Sequence, residues 1–181
     1  MITAAQMQGP VFWISAGWTH ERLNPDGMMR FINPGRVTFM TPRRPEDILW
    51  TMEEVLRAGA VPLVVADIPA LPGLTSVRRM HLAAETGASE GTLRPLGVLL
   101  TPGDGGAQGI ESRWHMAGAH GVNGVGWSLG RTKARSAPPK TWHVAIRDGK
   151  ICLGEPAQNT PTDAPLSGPK QASERAGSGG T

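Results

Sequence analysis

The first part of the chain holds four short apolar runs, each bounded by residues that interrupt regular structure. Val11-Phe12-Trp13-Ile14 follows Gly9-Pro10 and is β-branched and aromatic, which predicts a buried strand. Val37-Thr38-Phe39-Met40 predicts a second strand. It comes after a turn and short helix between Trp18 and Asn33 that start near Pro25-Asp26 and stop at Asn33-Pro34-Gly35. Val61 to Asp67 is apolar up to its terminal carboxylate, the pattern of a central parallel strand buried on both faces, and Leu96 to Thr101 repeats it. Between these runs the period changes. Ile48, Leu49, Met52, Val55 and Leu56 recur at helical spacing, which predicts a helix from about Pro45 to Ala58. Its ends agree, with Pro45 suited to a first helical position, Glu46 and Asp47 where the dipole favours anions, and Gly59 as a left-handed stop. A further helix is expected from a Thr75 cap through Thr86, with Val77, Met80 and Ala84 on one face and Gly87 ending it. Strands and helices in short alternation argue a parallel sheet flanked by helices.

After Pro102 the pattern shifts again. Thr101 to Gly109 is glycine-rich and is expected to be a mobile connector. Glu111 to Ala117, Trp127 to Lys133 and Thr141 to Ile146 then alternate with period two between Gly and Pro clusters, which predicts antiparallel strands. The expected fold is α/β: a mixed, mostly parallel sheet flanked by helices, with antiparallel strands added at one edge. It occupies residues 1–153, with the parallel part at about 9–102 and the antiparallel strands at about 111–151. From residue 154 to 181, Leu166 is the only large aliphatic residue among Gly, Pro, Ser and Thr. Such a segment buries too little apolar surface to offset the entropy of ordering, so a disordered tail is expected.

Charge sharpens the picture of the second half. Net charge is +3, yet residues 1–110 carry nine Arg against ten Asp and Glu. The excess lies in 111–153, where Arg113, Arg131, Lys133, Arg135, Lys140, Arg147 and Lys150 face only Glu111 and Asp148. A basic stretch of this kind serves phosphate contacts or simply a solvated sheet face. Trp114, Trp127 and Trp142 stand in the same stretch, where they stack on bases or on a partner, or else cover the sheet. Trp13, Trp18 and Trp50 are expected in or near the core. The single cysteine, Cys152, excludes an intrachain disulfide and a multi-cysteine metal site and suits a reducing compartment. No stretch approaches the roughly 20 apolar residues of a membrane span, so a cytoplasmic location and no membrane partner are expected.

Asp67, at the end of a parallel strand, is the best-placed residue for chemistry, because ligands of open α/β sheets bind beyond the carboxyl ends of the strands. A carboxylate there would hold magnesium in a nucleotide hydrolase, but that role needs a phosphate-binding loop of the form G-x-x-x-x-G-K-[ST]. No such segment exists, and the first lysine of the chain is Lys133. Asp67 is therefore read as a strand-end residue accepting backbone hydrogen bonds. The glycines at 103, 105, 106 and 109 lack the following helix that an anion loop uses. No histidine spacing suggests a metal site, and no nucleophile–base pair emerges, so neither a cofactor nor catalysis is expected.

Taken in order, these pieces resemble the central part of the RecA recombinase core, in particular the truncated RecA-like proteins of the ImuA type. The resemblance runs through Val11 to Ser15, Leu23-Asn24-Pro25, the Leu56-Arg57-Ala58-Gly59-Ala60 helix ending, Leu63 to Asp67, and Arg78 to Gly87. It continues in Trp127 to Ile146 with the Arg135-Ser136-Ala137-Pro138-Pro139 connector, and covers about 135 residues. It implies that Asp67 stands at the degenerate magnesium-aspartate (Walker B) position, while the catalytic glutamate falls near Gly17 and the γ-phosphate-sensing glutamine near Pro102. The family's phosphate loop would precede Val11. The resemblance thus implies a non-hydrolysing adaptor in DNA-damage-induced (SOS) translesion synthesis, linking RecA with an error-prone polymerase assembly that includes an ImuB-type polymerase-like protein. Two alternatives stand beside it. One is a module binding single-stranded DNA through Arg113, Trp114, Trp127, Arg131, Lys133, Arg135, Lys140, Trp142 and Arg147. The other is a SulA-like inhibitor of cell division.

Overall fold

The computed structural model describes residues 1–18, 22–120, 125–147 and 150–155. The apolar runs become strands in a four-stranded parallel sheet: β1 (Val11–Ile14), β2 (Val37–Met40), β3 (Leu63–Asp67) and β4 (Leu96–Leu100), in the order β2-β1-β3-β4. Besides α1 (Ile2–Ala5) and α2 (Pro25–Met28), two long helices connect them, α3 (Pro45–Ala58) and α4 (Leu74–Glu90). Alternation along β1 and β3 divides the core. Ile14, Val64 and Ala66 face Ile48, Met52 and Leu56 of α3 and Val77, Met80 and Ala83 of α4. Val11, Leu63 and Val65 face the other way, against Ala4 of α1 and Ile32. Arg36 ties this second side together. Its guanidinium donates to the carbonyls of Gly9 at 2.8 Å and Met7 at 2.6 Å, anchoring the chain before β1 to the start of β2.

The ends of α3 follow the expected signals, with Pro45 in the first turn and Gly59 beyond the last at φ 55°. Helix α4 departs from expectation. It starts at Leu74, its N-cap Gly73 provides no side-chain bond, and it runs through Gly87 to Glu90. Gly87 is not a stop because it is a contact: a Cβ there would lie 2.0 Å from the Leu56 carbonyl oxygen of α3. Gly59 and Gly91 crowd the same point, so the two helices meet backbone to backbone. One turn away, buried Glu53 of α3 accepts from Arg57 of its own helix at 2.5 Å and pairs with Arg79 of α4 at 2.8 Å.

The antiparallel strands form their own sheet rather than extending the first: β5 (Ser112–Gly118), β6 (Gly126–Ala134), β7 (Lys140–Arg147) and β8 (Lys150–Gly154), ordered β5-β6-β7-β8. The expectation of one mixed sheet is corrected here. Among the described residues β4 pairs only with β3 and β5 only with β6, so the chain passes from the edge of one sheet to the edge of the next. Strand β8 was not expected, and it carries Cys152 and Gly154 into the sheet; the rest of the expected tail, 156–181, lies outside the described residues. The connector 101–111 also differs from a loose link. Ala107 is buried in the α3–α4 core with Ile110 packed beside it, while Gly103, Gly105, Gly106 and Gly109 take positive φ that lets the chain fold back on α4. Trp13 is half-buried as expected, but Trp18 and Trp50 are exposed, Trp50 because it lies two positions from Ile48, off the buried stripe of α3.

Candidate functional site

The carboxyl edge of the parallel sheet gathers the positions singled out by the sequence. Asp67 ends β3 in register with Leu100 of β4, and Ile14 of β1 pairs with Ala66 next to it. Gly17 follows β1 and donates its backbone N–H to Pro42 at 3.0 Å, just past β2; Pro102 follows β4. Positions 17, 67 and 102 thus stand at the same end of three adjacent strands. The only titratable side chain among these three is that of Asp67, and it is exposed. Among the described residues no cluster of three His, Cys, Asp or Glu could hold a metal ion.

The antiparallel sheet brings together a different set. Trp114 of β5 pairs in register with Arg131 of β6, which pairs with Lys140 of β7; Trp142 stands two residues along β7, opposite Leu129. Strand alternation puts all four on one face. The two indoles, carried by strands on either side of β6, close over it and stack with centroids 5.8 Å apart and planes at 28°. The Arg131 guanidinium lies 5.7 Å from the Trp114 ring centre and 5.3 Å from that of Trp142, and the Lys140 ammonium lies 5.3 Å from Trp142. Cations over the negative faces of indole rings are attracted by the ring quadrupole. Hydrogen bonds fix the parts: Arg131 donates from Nε and Nη2 to the Pro138 carbonyl at 3.1 and 2.9 Å, and Trp114 Nε1 donates to Ser112 Oγ at 2.9 Å.

The other expected contact residues lie apart from this group. Trp127 sits deeper on the same face and meets His120 edge-on at 6.1 Å. Arg113 turns to the connector, donating to the Ala107 carbonyl at 3.2 Å, where a register shift interrupts β5 and β6. Arg135 pairs with Glu111 at 3.2 Å, which neutralises it locally. Lys133 and Arg147 are exposed. Sequence reasoning missed the exposed apolar side chains of this half, Met116, Val125 and Leu153. Alternation in Lys150-Ile151-Cys152-Leu153 after an Asp-Gly pair was the available signal for the strand that carries Leu153.

No family model matches this chain, and no curated protein matches it. Among the described residues no helix is long and apolar enough to cross a membrane.

Proposed function

We propose that this chain is a non-hydrolysing accessory protein of DNA-damage-induced translesion synthesis, an adaptor between RecA and an error-prone polymerase assembly containing an ImuB-type polymerase-like protein. The observation that carries this reading is the carboxyl edge of the parallel sheet. The three positions that the RecA-like resemblance assigns to nucleotide chemistry, Gly17, Asp67 and Pro102, stand together at the ends of neighbouring strands. A shared location supports a common RecA-like ancestry of the core, and the side chains now present there favour binding over turnover. A glycine and a proline provide neither a base to activate water nor an amide to sense a γ-phosphate, and a lone carboxylate holds magnesium weakly. Exposed apolar side chains at Leu96 and Leu100 on the edge strand β4 supply surface for protein partners.

The test is purification of a tagged chain from its own cells after DNA damage, at low and high salt. Enrichment of RecA or of the polymerase-like protein that survives high salt supports the adaptor. Recovery of a tubulin-like division protein in their place assigns the chain to the SulA-like alternative. ATP turnover by the purified chain that Asp67→Asn abolishes would overturn the non-hydrolysing reading.

A further inference from the structure

We propose that the Trp114–Arg131–Trp142–Lys140 face is a binding site for single-stranded DNA, in which a base stacks on the exposed ring of Trp114 and a neighbouring phosphate meets Lys140. The inference does not depend on the translesion reading, because it rests on the antiparallel sheet alone.

Three observations carry it. The first is preorganisation. Trp142 stacks against Trp114 and Arg131 lies within 5.7 Å of its ring centre, Ser112 fixes its ring nitrogen, and Arg131 is held by the Pro138 carbonyl. A ring fixed in this way loses little freedom when a ligand stacks on it. The second is exposure. Trp114 keeps 47% of its surface in solvent although Trp142 stacks against it, so ring surface remains open to a flat partner. The third is charge. Residues 111–153 hold seven basic residues and two acidic ones, and Arg135 engages Glu111. Lys140, on this face, is exposed and has no acidic partner among the described residues.

Chemistry selects the ligand. An apolar protein surface laid over Trp114 would strip water from Lys140 and leave its charge unanswered, a desolvation that attraction does not repay. A nucleotide brings a π-face for the indole and an anion for the ammonium at a separation set by one backbone repeat. Single strands bind in this way without base-pair readout, through stacking and phosphate neutralisation. A duplex hides its base faces and has nothing to offer Trp114.

The experiment is a titration of the full chain with labelled oligo(dT), read by anisotropy and by tryptophan quenching at several salt concentrations. Binding at low salt, quenching, and a fall in affinity with salt are expected. Trp114→Ala should weaken binding about five- to hundredfold, the loss of one base–aromatic stack, while Trp114→Phe keeps most of it. Lys140→Gln should flatten the salt dependence by about 0.7 in the log–log slope, one phosphate contact on a single strand. The variants alter exposed side chains, and matching thermal melts check that each is folded. The proposal is overturned by absence of binding at low salt, by unchanged affinity in folded Trp114→Ala, or by equal affinity for duplex DNA. Tighter binding of oligo(rU) than of oligo(dT) would overturn the assignment to DNA.

Discussion

Replacing Gly87 by alanine in the last turn of α4 sets two physical effects against each other, and the structure says which prevails. In a helix interior alanine is favoured over glycine by about 1 kcal/mol, because glycine has more backbone freedom to lose. On propensity alone the substitution stabilises. At this position, however, the new Cβ would lie 2.0 Å from the Leu56 carbonyl oxygen and 3.1 Å from the Gly59 backbone nitrogen. Both obstacles are backbone of α3, so no side-chain rotation relieves the clash, and the helices must separate by more than an ångström. Separation loosens the packing of Leu56 and Ala83, both of which lie in the α3–α4 core. Overpacking of this kind costs about 1–3 kcal/mol and sometimes more. A net destabilisation of about 2 kcal/mol corresponds to a fall in Tm of roughly 4–8 °C for a chain of this size. Circular dichroism melts of wild type, Gly87→Ala and a control, Ser89→Ala on the exposed side of the same helix, provide the measurement. The control should shift little. A rise in Tm for Gly87→Ala would refute the backbone-to-backbone contact, because only propensity would then be acting.

Glu53 predicts an asymmetry. Replacing both Arg57 and Arg79 by alanine leaves a buried carboxylate unpaired and should cost about 3–5 kcal/mol in a urea melt, whereas Glu53→Leu leaves Arg57 paired with Glu54 and Arg79 exposed to water and should cost less than half as much. Asp47 has its pKa held below the usual carboxylate value, chiefly by the hydrogen bond from Arg44. A carboxyl with a depressed folded-state pKa adds stability above its unfolded value and loses it as pH falls through the folded one. Arg44→Ala should therefore raise the Asp47 titration midpoint followed by NMR, and its Tm difference from wild type should shrink in acid; an unmoved midpoint contradicts the pairing. At the outer edge of β4, Leu96 and Leu100 are 43% and 39% exposed with no charge in the strand. Unprotected apolar edges recruit other strands, so Leu96→Lys with Leu100→Lys should lower concentration-dependent light scattering without changing the melt.

What the sequence disclosed was local, and what it withheld was long-range. Both ends of α3 were legible because Pro45 and Gly59 act within one turn of themselves. Strand β3 was legible as an apolar run because burial on both faces leaves no polar residue to break the pattern, whereas β4, read the same way, is an edge strand with Leu96 and Leu100 exposed. Gly87 misled because a glycine marks either a helix end or a close approach, and only the position of Leu56 in space separates the two. The split into two sheets was hidden for the same reason: alternation says that β5 is a strand, not which strand lies beside it. Within the candidate site, Trp114, Arg131, Lys140 and Trp142 were each named from charge and aromatic content, but their meeting depends on the β5–β6–β7 register and on the shift between Arg113 and Trp114. At the carboxyl edge, Asp67 was placed correctly at a strand end, but its exposed carboxylate accepts none of the backbone hydrogen bonds expected of it among the described residues.

The handover from β4 to β5 through residues 101–111 has a consequence for how the molecule comes apart. Each sheet closes its own ladder of hydrogen bonds, and no rung joins them among the described residues. Opening the antiparallel half therefore removes no rung from the parallel half, so amide exchange should sort into two tiers, with Leu63 to Ala66 slow and β5 and β8 fast. The antiparallel sheet, whose buried positions are Val144 and Gly126, is then the half expected to open first. A break in the chain at Gly103 would remove no rung from either ladder.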